Sequence, residues 1–158
     1  MNYSKDSNIK QARQAYQKAT NLLYKSEQAY NSILKKNNCF DCEIYEMDSQ
    51  KKFEVRHKKC STCKKGAKVI TAYNNYADSS KKVDLLLSNY ANVIFNVLKE
   101  DKPKLIHRRT NKVMKWEDVF PSNFKSVTPA LRNALIALIE EEGGAYRIKQ
   151  SLFSKLFK

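Results

Sequence analysis

The sequence predicts a mainly α protein: a long antiparallel helical hairpin with a compact module at its tip and a small C-terminal helical lobe. Three observations lead there. Apolar residues recur at spacings of three and four over residues 5–36, and again over 67–100. All four cysteines of the chain lie between those stretches, as two close pairs. After Asp101-Lys102-Pro103 the composition turns basic and aromatic, with shorter apolar periodicities. The organisation that follows is 1–101 for the hairpin, with its module at 38–66, and 102–158 for a basic helical lobe.

In the first stretch Ile9, Ala12, Tyr16, Ala19, Leu23, Ser26, Tyr30 and Ile33 form one stripe, widened by Ala15, Leu22 and Ala29. No Gly or Pro interrupts it, and Ser4 or Ser7 can cap its first turn. Tyr and Ala pack a seam less well than Leu, so the expected partner is another segment of the same chain rather than a second copy. Residues 67–100 supply it, with Ile70, Tyr73, Ala77, Ser80, Leu87, Ala91, Ile94 and Leu98 flanked by Val83, Leu86, Tyr90, Val93 and Val97. Asp84 breaks that register and Asp78-Ser79-Ser80 can start a fresh helix, so the stretch reads as one helix or two. Both long segments abut the cysteine module, and short connections favour antiparallel neighbours.

Cys39 and Cys42, then Cys60 and Cys63, form Cys-x2-Cys, seventeen residues, Cys-x2-Cys. Two residues between thiols set both sulfurs on one knuckle, within reach of one tetrahedral ion at about 2.3 Å. The spacing falls within the range of roughly 15–20 residues expected of a zinc site. Four sulfurs close the shell and leave no position for a water, so the expected cofactor is a structural Zn2+. An iron–sulfur cluster and unliganded thiols are the alternatives. His57, three residues before Cys60, is a substitute ligand, but a solvated histidine is the preferred reading. Between the knuckles, 43–48 and 52–56 alternate around a turn at 48–51, which predicts a β-hairpin. Two knuckles bracketing a hairpin resemble a zinc ribbon over residues 38–66, although no Gly follows the first knuckle as Gly66 follows the second.

The C-terminal lobe reads as a strand or extended arm at 104–108, a helical turn near Trp116, and a helix opened by Thr128 as cap with Pro129 at its first position. Leu131, Ala134, Leu135, Leu138 and Ile139 make its buried face, and Gly143-Gly144 end it. Glu140, Glu141 and Glu142 stand at the end of that helix where the dipole disfavours carboxylates, so a cationic neighbour is expected. A last helix is predicted over 145–157 from Ile148, Leu152 and Leu156.

The net charge is +14, distributed as +5 over 1–38, +2 over 39–66, zero over 67–101 and +7 over 102–158. Such a balance points to a polyanionic partner. A coding sequence rich in A and T would also favour this Lys- and Asn-rich composition. Two patches are candidates for nucleic-acid contact: Lys51, Lys52, Arg56, Lys58, Lys59, Lys64 and Lys65 on the module, and Arg108, Arg109, Lys112 and Lys115 beyond it. Lys meets phosphate as a point charge without reading bases, while Arg can fork onto phosphate or stack on a base. Trp116 is a possible stacking platform, with core packing the preferred reading.

Catalysis finds little support. Both histidines, His57 and His107, sit in basic runs, and three glycines are too few for a phosphate cradle or dinucleotide fingerprint. The opening residues carry no apolar stretch of the signal-peptide kind, and no run reaches the ~18–20 residues that span a bilayer. The expectation is a cytoplasmic, intracellular protein without membrane contact, where reducing conditions keep cysteines as ligands. It is a non-enzymatic nucleic-acid-contacting protein, an accessory subunit of a larger replication, transcription or recombination complex. The alternative is a protein–protein adaptor or inhibitor from a phage or mobile element that docks on a larger protein, which can itself be one that handles nucleic acid. No particular family is identified.

Overall fold

The computed structural model describes residues 3–42, 58–141 and 143–149. The predicted β-hairpin, with Lys51, Lys52, Arg56 and His57, lies outside the described residues. The protein is mainly helical and hairpin-like, with a small antiparallel sheet. Helix α1 spans Ser7–Lys36 and α2 Gly66–Asp101, followed by β1 Leu105–His107, β2 Val113–Met114, α3 Pro129–Glu140 and β3 Tyr146–Ile148. Single 3-10 turns occupy Tyr3–Lys5, Trp116–Asp118 and Phe124–Ser126. Among the described residues no helix is long and apolar enough to cross a membrane.

The helix starts and stops have local causes. Asp6, not Ser4 or Ser7, caps α1: its Oδ1 accepts from Asn8 N at 2.9 Å and Ile9 N at 3.1 Å. A carboxylate there meets both the orphan amides and the positive end of the dipole. Residues 66–101 form one helix, and Asp84, which disturbs the apolar register, is simply exposed. That helix ends where Lys102 turns left-handed at φ 40° and returns its N–H to Leu98 O at 2.8 Å, ahead of Pro103. Helix α3 starts as predicted, with Thr128 Oγ1 accepting from Leu131 N at 3.3 Å and Pro129 following. It stops at Glu141 (φ 56°), where the backbone turns left-handed.

Packing divides the chain into two units, residues 17–84 and a unit of 1–16 with 85–158; α1 and α2 contribute to both. In the second, Ile9 and Ala12 of α1 meet Tyr90, Ile94, Phe95 and Leu98 of α2, with Leu105, Trp116, Phe120, Leu135, Leu138 and Ile139 closing around them. Phe95 lies off the predicted stripe. It is buried because Trp116 and Phe124 lie against it, with ring centroids at 6.0 and 5.9 Å. In the C-terminal part of this unit the strand expected at 104–108 is present as β1, but it belongs to a sheet that the predicted helical lobe did not include; residues 150–157 of the predicted last helix lie outside the described residues. β1 pairs antiparallel with β2 on one side and β3 on the other, in the order β2-β1-β3, and α3 supplies the helix. Residues 146–148, predicted helical, are therefore a strand. They face a ready partner in β1, with Leu105 opposite Ile148 and His107 opposite Tyr146, and that pairing outweighs the helical spacing of later apolar residues. The glutamate run finds its cation in Arg13, whose Nη2 is 2.8 Å from Glu140 Oε2.

In unit 17–84, Tyr30 and Leu34 of α1 pack on Val69 and Ala72 of α2, with Ile33, Tyr73 and Tyr76 alongside. Tyr30 stacks on Tyr76 at 6.1 Å and meets Tyr73 edge-on at 5.6 Å. Aromatic pairs of this kind make up for the modest apolar area of an Ala- and Tyr-rich seam.

Candidate metal centre and basic surfaces

Helix ends carry the cysteines. Asn38 adopts φ 54° just past α1, Asn38 N donates to Lys35 O at 3.1 Å, and Cys39 N donates to Leu34 O at 2.8 Å. This is a Schellman cap, in which the residue after the left-handed position packs on the helix one turn back. Cys39 does so, lying half-buried against the cluster that contains Leu34. The first knuckle closes with Cys42 N to Cys39 O at 3.3 Å. The second repeats it with Cys63 N to Cys60 O at 3.1 Å, and Gly66 N to Cys63 O at 2.8 Å runs it into α2. Gly66 has a steric role here: a Cβ on it would collide with the Cys60 carbonyl.

The donor chemistry and backbone of each pair suit a zinc ion. All four residues are thiols rather than disulfide partners. Cys39 and Cys60 are half-buried on one apolar cluster, while Cys42 and Cys63 are exposed. Among the described residues, however, no three His, Cys, Asp or Glu side chains converge closely enough to hold a metal. The fold brings the two pairs to one cluster without drawing four sulfurs into one shell.

Of the first basic patch, Lys58, Lys59, Lys64 and Lys65 are described, and all are exposed around Cys60 and Cys63. In the second patch the residues separate by role. Arg108 is structural: its Nη2 donates to Glu141 O at 3.2 Å and its Nε to Tyr146 O at 3.3 Å, tying the end of α3 to β3. Arg109, Lys112 and Lys115 are exposed. Trp116 is 3% exposed and lies tilted against Phe120 with ring centroids at 4.5 Å, so it packs the core as preferred and offers no face to a base. His107 holds the β1–β2 turn, its Nδ1 lying 3.3 Å from Thr110 N and 3.0 Å from Thr110 Oγ1, with its ring edge-on to Tyr146 at 5.3 Å.

Sequence reasoning left Lys104, Arg147 and Lys149 out of both patches; all are exposed and all lie on or beside the sheet. The signal was present: Tyr146 and Ile148 alternate with Arg147 and Lys149, a period of two rather than 3.6. Comparison of the chain with protein-family models, curated proteins and solved structures returns no match.

Proposed function

We propose that this protein contacts nucleic acid through backbone phosphates and performs no catalysis, with the cysteine pairs holding a structural zinc ion. One observation carries the reading: Lys58, Lys59, Lys64 and Lys65 are all exposed on and beside the Cys60–Cys63 knuckle, and none makes an ion pair among the described residues. Lysines fixed to a stiff turn present point charges to phosphate without base reading, so binding is expected to be strong at low salt and indifferent to sequence. Zinc on Cys39, Cys42, Cys60 and Cys63 would close the shell by drawing the two pairs together, and would hold those lysines in place.

The test is fluorescence anisotropy with labelled duplex and single-stranded oligonucleotides as salt is raised. Affinity falling linearly in log–log form, and lost on changing Lys58, Lys59, Lys64 and Lys65 together to Glu, supports the reading. Affinity too weak to measure at low salt would sink it.

A further inference from the structure

We infer that the outer face of the three-stranded sheet is a second nucleic-acid surface, a phosphate track formed by Lys104, Lys115 and Lys149 in one row with Arg147 in the next. This deepens the nucleic-acid reading and rests on it, but uses a different part of the molecule.

Register determines the row. Leu105 stands opposite Met114 and Ile148, and Ile106 opposite Val113 and Arg147. Leu105 is fully buried, and Met114 and Ile148 are half-buried against the same core, so those three mark the inner face. Alternation turns their neighbours outward. Lys149 N donates to Lys104 O at 2.8 Å, which carries the β1–β3 ladder one residue further. The β1–β2 register carried one step likewise brings Lys115 opposite Lys104. The three lysines thus flank the strands, each one residue beyond a strand end; neighbouring strands lie about 4.8 Å apart, and all three lysines are exposed. The adjacent row is Val113, Ile106 and Arg147; Val113 is 46% exposed.

Like charges directly opposite one another destabilise a sheet, and proteins ordinarily interleave acids among them. None is interleaved here. Residues 104–115 contain five basic residues and 145–149 two, with no acid in either segment. The next two acids along the chain are engaged: Glu117 pairs with Lys102 at 2.9 Å, and Asp118 Oδ2 accepts from Lys115 N at 3.1 Å. Glu117 also attracts Lys115, so the row is only partly compensated, and a bound polyanion would relieve the repulsion that remains. Its span, two strand spacings or about 10 Å, is long enough to reach more than one phosphate of a strand, at ~3.4 Å of axis each. With Trp116 and Phe120 buried in the core, contact on this face is to the backbone.

The experiment compares the whole wild-type protein with K104Q/K115Q/K149Q and with K58Q/K59Q/K64Q/K65Q. Each is titrated by anisotropy against a fluorescein-labelled duplex and a single strand over about 50–200 mM salt. The sheet variant is expected to bind about tenfold or more weaker at the low end. Its log–log salt slope should be flatter by about two to three, because each phosphate contact contributes about 0.7–0.9. The change should be the same for unrelated sequences. Because the substitutions remove repulsion, the variant should also melt no lower than wild type at low salt. Wild-type affinity and slope in the sheet variant, with binding lost in the knuckle variant, would overturn the track and leave the nucleic-acid reading standing. A wild type that ignores both oligonucleotides but holds polyglutamate through these same lysines would make the surface an acidic-protein site and overturn both. A sheet variant that melts below wild type would remove the repulsion argument and overturn the track.

Discussion

Tyr90 is the most informative single position for the stability of the larger unit. Its ring is 0% exposed and stacks on Tyr16 at 6.2 Å, and its hydroxyl donates to Glu140 Oε1 at 3.0 Å. The other carboxylate oxygen of Glu140 accepts from Arg13 Nη2 at 2.8 Å, so one side chain ties α1, α2 and α3 together. Tyr90→Phe keeps the ring and removes a hydrogen bond to a charged acceptor, a loss of about 1.5–2 kcal/mol. Glu140→Ala leaves a buried phenol without its acceptor, at about 1–3 kcal/mol. The Arg13–Glu140 pair adds little to that, about 0.5 kcal/mol, because the side chains are 37% and 27% exposed and water can replace much of the attraction. The double-mutant cycle should therefore show coupling of about 1 kcal/mol between the two changes. Urea denaturation followed by circular dichroism measures each value, with an unchanged m-value showing that only stability moved. Alkaline pH gives a second readout. Burial, reinforced by the bond to Glu140, raises the Tyr90 pKa, and burial with a bond to Asp101 pushes Tyr3 up to about 12. Both phenols thus titrate higher folded than unfolded. Their contribution is intact below the ordinary tyrosine pKa of about 10 and is lost as pH rises above it. Tyr90→Phe should flatten that decline. Wild-type stability in Tyr90→Phe to within about 0.5 kcal/mol, or zero coupling, would refute the network as described.

Gly66→Ala should lower stability by about 1–3 kcal/mol, because the added methyl meets the Cys60 carbonyl; a thermal melt matching wild type would mean α2 can begin elsewhere at no loss. Asp6→Ala removes the acceptor for two amides of α1 and should lower stability by about 1 kcal/mol, whereas Ser7→Ala should change it little; equal effects at the two sites would contradict the cap. Protein purified without chelator should carry about one zinc per chain by elemental analysis, and chelation should loosen the region around the four cysteines; purified protein with no bound metal ends the zinc proposal. Emission from Trp116, the chain's one tryptophan, should stay unquenched on adding nucleic acid, since its ring lies in the core; strong quenching would place it at the interface.

Local patterns were the legible part of this fold. An uninterrupted 3.6-residue period with no interior Gly or Pro gave α1, the same period broken at Asp84 left 67–100 as one helix or two, and Thr128-Pro129 gave the start of α3, because each signal is complete within a few residues. The choice of cap was less legible: Ser4, Asp6 and Ser7 are all competent, and only the path of the chain into α1 selects Asp6. The glutamates at the end of α3 correctly demanded a cation, but nothing local could say that Arg13, 127 positions away, would supply it. At the cysteines, spacing specified two knuckles, and the Schellman cap shows how a helix end builds one. Closure into a single shell depends on how the two pairs approach, which spacing does not encode.

The sheet exposes a different limit. Strand β3 spans three residues, too few for a period of two to outweigh the helical spacing of Ile148, Leu152 and Leu156 in the sequence. What stabilises it is β1, some forty residues earlier, and hydropathy holds no record of that pairing. The lysine row is invisible for the same reason, since Lys104, Lys115 and Lys149 are scattered along the chain and ordinary one at a time. Only the register makes them neighbours, and only then does the conflict emerge: a sheet otherwise consistent in burial and turn chemistry sets three like charges side by side. Where a fold obeys its local rules and breaks one of them, the breach is better explained by a ligand than by chance. Of the two basic surfaces, the row on the sheet is therefore the more diagnostic. Lysines on a turn face no like charge across a ladder, whereas under the proposed track the lysines flanking β1 and its neighbours repel one another, a loss of stability that bound phosphate would offset.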